Sequence, residues 1–216
     1  MSAKQQQGTR TTPQQRPRSG VEPDLDALRI AALDVSTWPA FADLVERHGG
    51  IFGGCWCTFF GPDCDEKRQS SEGNRALKRR WVEEDTTHAA LVMDGEEAVG
   101  WAEFGPPEEL PNLHHKKQYL AEQQQPPDFR VTCIFVDRRY RRHGVAELAL
   151  RGALDLIAAA GGGVVEGYPH DLDGRRMSAS FVYNGTRRMY ERAGFTYDRP
   201  KGKGNCVMVR EVAAAG

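Results

Sequence analysis

The residues with the clearest chemical potential form one run, Cys133-Ile134-Phe135-Val136-Asp137-Arg138-Arg139-Tyr140-Arg141-Arg142-His143-Gly144-Val145-Ala146. An apolar segment reads as a buried strand. It leads into a turn rich in arginine, and the turn opens an apolar helix. The first turn of a helix presents N–H groups without intrahelical partners, together with the positive end of the helix dipole. Phosphate is the usual guest at such a place. Gly144 lets the backbone approach a ligand closely, and Ala146 keeps the first helical turn uncrowded. On the residues alone the segment is either an anion site or a helix start with solvated arginines. A second chemical pattern, Cys55-Trp56-Cys57 with Cys64 and His48 near it, invites a zinc reading. The spacing is short for a zinc knuckle and a second ligand pair is missing, so core packing or a pocket wall is the expectation and no metal is assigned.

The elements that must position this run follow from periodicity and turn signals. Leu25, Leu28 and Ile30 suggest a first strand. Ser36 caps a helix through His48 with Trp38, Phe41, Leu44 and Val45 at helical spacing, and a second helix over 71–84 buries Ala76, Leu77, Trp81 and Val82. The runs 88–93 and 98–104 flank Asp94-Gly95, a hairpin signal. Residues 105–127 hold five prolines and read as a long binding loop. His114-His115 within it reads as solvated, with a substrate-facing role as the alternative. Then come a strand over 130–136, a helix over 144–160 ended by three glycines, and a strand over 164–168. A helix over 178–193 and two closing strands, 196–197 and 206–212, follow. Trp38, Trp81 and Trp101 read as core. This order implies an α/β (α+β) fold with a mixed sheet.

Composition narrows the function classes. The 216 residues suffice for one domain with a real core. The net charge of −1 gives no general attraction to nucleic acid or an anionic membrane. No run is long and apolar enough to cross a bilayer, no signal core opens the chain, and five cysteines argue against a disulfide framework. A cytoplasmic protein is expected. Residues 1–22, polar and basic through Lys4, Arg10, Arg16 and Arg18, read as a disordered tail ahead of a domain over 23–216.

Arg141-x-x-Gly144-x-Ala146, after a strand ending at Val136, resembles the pyrophosphate-binding motif of the GNAT acetyltransferases. Tyr190-Glu191-Arg192-Ala193-Gly194-Phe195 resembles that family's second conserved segment. The Cys-Trp-Cys loop, Val99-Gly100-Trp101 and Val165-Glu166-Gly167-Tyr168-Pro169 are similar to a GNAT subgroup met mainly in actinobacterial sequences, from which no substrate carries over. The resemblance implies a mixed, mostly antiparallel central sheet flanked by helices, and acetyl-CoA as cosubstrate. It implies cofactor contacts from Ile134, Phe135 and Val136 on the central strand, and from Arg141, Arg142, His143, Gly144, Val145, Ala146 and Glu147 at the helix start.

The same resemblance implies a proton donor for the leaving thiolate at Tyr190, the position at which the family carries its tyrosine. Acyl transfer to an amine also needs a base. A central-strand glutamate found in some members is replaced here by Arg130. Glu166 on the following strand is the first choice of base and Glu103 the second, with a water chain as the alternative. The family's asparagine, seven residues before the tyrosine, falls at Tyr183, with Asn184 one residue later. Members often dimerise, and a homodimer is left open. Three functions follow: acetylation of a small-molecule amine, which the aromatic loop and the insertion favour by closing a pocket; acetylation of a protein N-terminus or lysine; and a non-catalytic acyl-CoA-binding module.

Overall fold

The structure, a computed structural model, describes residues 24–62, 70–171 and 184–216; the expected tail over 1–22 lies outside them. The order is β1 (Arg29–Ala32), α1 (Trp38–Arg47), α2 (Ser71–Glu83), β2 (His88–Asp94), β3 (Glu97–Gly105), α3 (Lys116–Glu122), β4 (Phe129–Val136), α4 (Val145–Ala159), β5 (Gly163–Gly167), α5 (Arg187–Arg192), β6 (Thr196–Lys201) and β7 (Asn205–Val212). The strands form one seven-stranded sheet ordered β1-β2-β3-β4-β5-β7-β6. Every neighbouring pair is antiparallel except β4 and β5, so the mixed, mostly antiparallel sheet flanked by helices is as expected.

Each face of the sheet has its own core. On one face α1 and α2 pack Phe41, Leu44, Val45 and Val82 against Leu91, Trp101, Cys133 and Phe135. On the other, α4 and α5 pack Ala149, Leu150, Ala153, Ile157 and Tyr190 against Val92, Val99, Ile134 and Met208. Gly152 makes the α4 contact close, because a Cβ there would meet the Ile30 side chain at 2.7 Å. Trp38, Trp81 and Trp101 are buried.

Several element boundaries differ from those read in the sequence. Residues Leu25–Ala27 form a short 3-10 turn because Asp24 accepts the Asp26 N–H at 3.1 Å, so the first strand starts only at Arg29. Helix α1 begins at Trp38, with Thr37 rather than Ser36 at its cap. The hydroxyl of Ser36 is committed to Asp34, at 2.6 Å, and Pro39 suits the first turn. In α2, Ala76 is exposed while Lys78 turns inward, since a buried carboxylate awaits it on β3. The insertion is not all loop: α3 lies inside it, with Tyr119 facing the core. The helix expected over 178–193 is described only as α5. Gly185, at φ +72°, breaks the chain just before the Thr186 cap, and 178–183 fall outside the described residues, as does Cys64.

Two irregularities in β4 make the site. Glu103 pairs with Cys133 but Phe104 with Val131, so Thr132 is an extra residue, a β-bulge. Beside β5, pairing runs only through Phe129↔Val165, Arg130↔Glu166 and Val131↔Gly167. Beyond Gly167 the chain stays with β7 instead: the Cys206 N–H donates to Pro169 O at 3.1 Å, and His170 bridges Asn205. The two parallel strands therefore splay, and residues 132–136 of β4 border the opening.

Candidate active site

At the far end of the splay lies the arginine-rich turn. Asp137, buried, caps a 3-10 turn over Arg138–Tyr140 through the Arg139 N–H, at 2.9 Å. Its carboxylate also accepts from Arg139 Nη2 at 2.8 Å and Arg47 Nη2 at 3.2 Å. Burial alone would raise the Asp137 pKa, but the bonds from Arg139, with His48 at 3.4 Å, hold it well below the usual carboxylate range. The turn is thus fixed by an anion that stays ionised. Next, Arg142 (φ +71°) and Gly144 (φ +85°) take left-handed conformations, and the chain enters α4 with no side-chain cap on its first turn. A Cβ at Gly144 would meet only Leu25 Cδ1, at 3.7 Å, so glycine is needed there for its backbone angle.

The expected cofactor residues divide into groups. Val136 ends β4, and its carbonyl accepts Arg141 Nε at 3.1 Å; the Arg141 guanidinium also lies 5.8 Å from the centre of the Phe135 ring. Phe135 stacks on Trp101 at 4.8 Å, while Ile134 points to the other core. Arg142, His143 and Gly144 form the turn itself. Val145 is buried under it and Ala146 is half-buried. Glu147 stands apart. Its N–H bonds Gly144 O at 2.9 Å, and its carboxylate accepts from Arg151 at 3.0 Å and Arg192 at 2.8 Å, so it ties α4 to α5. Burial would raise the Glu147 pKa, yet these two arginines lower it.

Tyr190 and Glu166 approach the base of the splay from opposite faces of β5. Tyr190 is fully buried, with its ring against Gly167: a Cβ on that glycine would fall 2.1 Å from Tyr190 Cε1. Its hydroxyl has no hydrogen-bond partner among the described residues, and burial raises its pKa, with Cys206 and Cys133 adding to the effect. A phenol so placed stays protonated.

Glu166, one residue earlier, faces the α1 side. Its Oε2 accepts from Tyr119 at 2.6 Å and Tyr168 at 2.9 Å, and Arg199 Nη2 lies 3.8 Å from its Oε1. Burial raises the pKa of both tyrosines, and Glu166 adds to this. Tyr119 arrives from α3, so the insertion roofs Glu166. Asn184 donates to Tyr168 O at 3.1 Å; Tyr183 is outside the described residues.

Glu103 is differently situated. Lys78 Nζ donates to its Oε1 at 2.7 Å and Thr132 to its Oε2 at 2.8 Å, with Lys78 also bonding Thr87 at 2.7 Å. Both oxygens are committed inside the core, which leaves Glu166 as the carboxylate beside the splay. In the aromatic loop, Cys57 Sγ lies 2.9 Å from Cys133 Sγ, and Trp56 stacks on Trp38 at 6.1 Å. His114 stacks on Phe59 at 4.4 Å, so it packs on that loop and is not merely solvated. Among the described residues no group of three His, Cys, Asp or Glu could hold a metal, and no helix is long and apolar enough to cross a membrane.

Sequence reasoning missed Tyr119, Arg199 and Lys201. The one available signal, a Tyr inside a helix-forming Lys-Lys-Gln-Tyr-Leu-Ala-Glu stretch, was masked by the flanking prolines.

The model of the acetyltransferase (GNAT) family matches residues 55–195, which include both the arginine-rich turn and Tyr190. No curated protein matches the chain. Similar solved structures include a GNAT acetyltransferase from Streptococcus pneumoniae, 14% identical over 86% of this chain and 99% of that one, TM-score 0.48. Another is a ribosomal-protein-S5-alanine acetyltransferase from Vibrio fischeri, 10% identical over 89% and 97%, TM-score 0.49. A third is the PaiA N-acetyltransferase of Thermoplasma acidophilum, in complex with coenzyme A, 11% identical over 85% and 98%, TM-score 0.48. With the family match spanning 55–195, this chain belongs to the GNAT family of acetyltransferases.

Proposed function

We propose that the protein transfers the acetyl group of acetyl-CoA to the amine of a small molecule, with Glu166 as base and Tyr190 as acid. The observation that carries this reading is the splay of β4 from β5, with a buried carboxylate on one face and a buried, unpartnered phenol on the other. The uncapped start of α4 after Gly144 fits the pyrophosphate, and the unpaired stretch of β4 fits the pantetheine arm.

In the reaction the amine nitrogen bonds the thioester carbonyl carbon and the carbon–sulfur bond breaks. Glu166 takes the proton the amine loses. Tyr190 gives its proton to the departing thiolate, and solvent restores it. A phenol held neutral by burial suits an acid. The bulge at Thr132 reorients the β4 backbone beside the splay, where an N–H can meet the developing oxyanion. A small acceptor is favoured over a protein because α3 roofs Glu166 with Tyr119.

The test follows CoA thiol release from acetyl-CoA across amino acids, polyamines, aminoglycosides and peptides, with Tyr190→Phe and Glu166→Gln run in parallel. Acceptor-dependent release that drops in both variants while CoA binding persists is the expected result. Release confined to peptides would move the acceptor to the protein class, and absence of CoA binding would overturn the cofactor assignment.

A further inference from the structure

Around Glu166 the charges do not balance. Arg130 is its cross-strand partner on β4, Arg199 Nη2 lies 3.8 Å from its Oε1, and Lys201 holds its ammonium 5.0 Å from the centre of the Tyr168 ring. Among the described residues three cations therefore meet two carboxylates, the buried Glu166 and the exposed Asp198 that pairs with Arg199. Arg130 and Lys201 are each 5% exposed and Glu166 4%, so water screens little of this. Elsewhere the protein pairs its buried charges closely, as at Lys78–Glu103.

The donors themselves are unmet. Among the described residues Arg130 Nε, Arg199 Nε and Arg199 Nη2 are buried without a hydrogen-bond partner. Arg130 uses Nη1 on Leu110 O at 2.9 Å, and Arg199 uses Nη1 on Asp198. Both guanidinium groups lie over the Tyr119 ring, at 5.5 and 5.2 Å. The ring's π face attracts the cations but supplies no in-plane acceptor for their N–H groups. Buried guanidinium donors left so are costly, and an anion is what they lack.

We propose that Arg130, Arg199 and Lys201 receive an anionic group, a carboxylate or a phosphonate, carried by the acceptor close to its reacting amine. This rests on the reading of Glu166 as the base. Because Glu166 Oε1 and Arg199 Nη2 are 3.8 Å apart, an amine bonded to the first and an anion bonded to the second belong to one short molecule. Amino acids with about one to three carbons between the two groups meet that span at ordinary hydrogen-bond lengths. The amine binds Oε1, beside the Oε2 that accepts from Tyr119 and Tyr168. Lys201 now gives its ammonium to His114 O, 2.6 Å away at the foot of α3, so recruiting Lys201 to the anion loosens the segment that carries Tyr119.

The test uses thermal unfolding of the full chain with saturating CoA, titrated with succinate or with uncharged succinamide. Succinate raises the melting temperature and succinamide does not; Arg199→Gln abolishes the rise and Arg199→Lys keeps it. Equal responses to the two probes, no response to succinate, or an unchanged response in Arg199→Gln overturns the proposal. In turnover, amino acids exceed their carboxamides as acceptors by about 10- to 100-fold, the value of one or two charged hydrogen bonds. Carboxamides acetylated as well as the acids sink the anion site and leave acetyl transfer standing. A succinate response without thiol release from any acceptor does the reverse.

Discussion

Replacing Tyr190 by Phe separates a catalytic phenol from a structural one, because the two roles predict opposite signs. The hydroxyl is fully buried and bonded to none of the described residues. Removing it costs the free protein no hydrogen bond and relieves a desolvated polar group, worth about 1 kcal/mol in favour of the variant. The ring contacts with Phe195, at 4.9 Å, and with Gly167 remain. Urea unfolding should therefore give an equal or higher midpoint with the same slope. Acetyl transfer should nevertheless fall by about 10²- to 10⁴-fold, the usual worth of a positioned proton donor. CoA affinity stays close to that of the wild type. A variant that loses about 1 kcal/mol or more of stability reveals a structural partner for the hydroxyl. A variant with undiminished thiol release removes Tyr190 from the chemistry.

Other perturbations act on separate parts. Gly144→Ala has room for its methyl but forces an L-residue to φ +85°, so a cost of about 1–2 kcal/mol and weaker CoA binding by calorimetry are expected, with the acceptor KM unchanged. Glu103→Gln strands the buried Lys78 ammonium and costs about 3–5 kcal/mol in denaturant unfolding, with residual activity tracking the folded fraction; loss of turnover in fully folded protein would return Glu103 to the chemistry. Burial, then Arg130, brings Lys201 from the ordinary 10.5 down to about 8, a penalty of about 3 kcal/mol on its charged form. Between these values the unfolded chain binds the extra proton, so stability of the ligand-free protein rises with pH above about 8. The succinate response, which needs the ammonium, declines over the same range, and Lys201→Met flattens both profiles.

What could be read in the sequence was what one local segment determines. The run into Gly144 combines a strand, a turn and a helix start in consecutive residues, and the hairpin at Asp94-Gly95 is likewise local. The helical spacing of Phe41, Leu44 and Val45 needs no tertiary information either. The surroundings of Glu166 were illegible for the opposite reason. Tyr119, Arg130, Tyr168, Arg199 and Lys201 come from α3, β4, the end of β5 and β6, and only the sheet order β4-β5-β7-β6 brings them together. Nor could the sequence separate Glu103 from Glu166. Both are acidic residues in apolar strands, and the difference lies in Lys78, a charged residue of α2 that reaches inward to Glu103.

In the proposed mechanism the two faces of β5 keep the acid and the base apart. Successive residues of a strand point to opposite sides, so Glu166 faces the α1 side while Gly167, next to it, opens the other side to the Tyr190 ring. Had both groups shared a face, the phenol would have donated its hydrogen bond to the carboxylate, as Tyr119 and Tyr168 do to Glu166. On opposite faces the two groups stay apart, and the opening where β4 leaves β5 is where the proposed mechanism brings both to the same reacting atoms. That makes Gly167 a positioning residue for both. Gly167→Ala drives a methyl into the Tyr190 ring and, by overpacking, costs about 1–3 kcal/mol. If the geometry is right, it lowers kcat well beyond what its loss of folded protein explains, and Tyr190→Leu, which vacates the ring's space, restores the stability of Gly167→Ala without restoring its turnover.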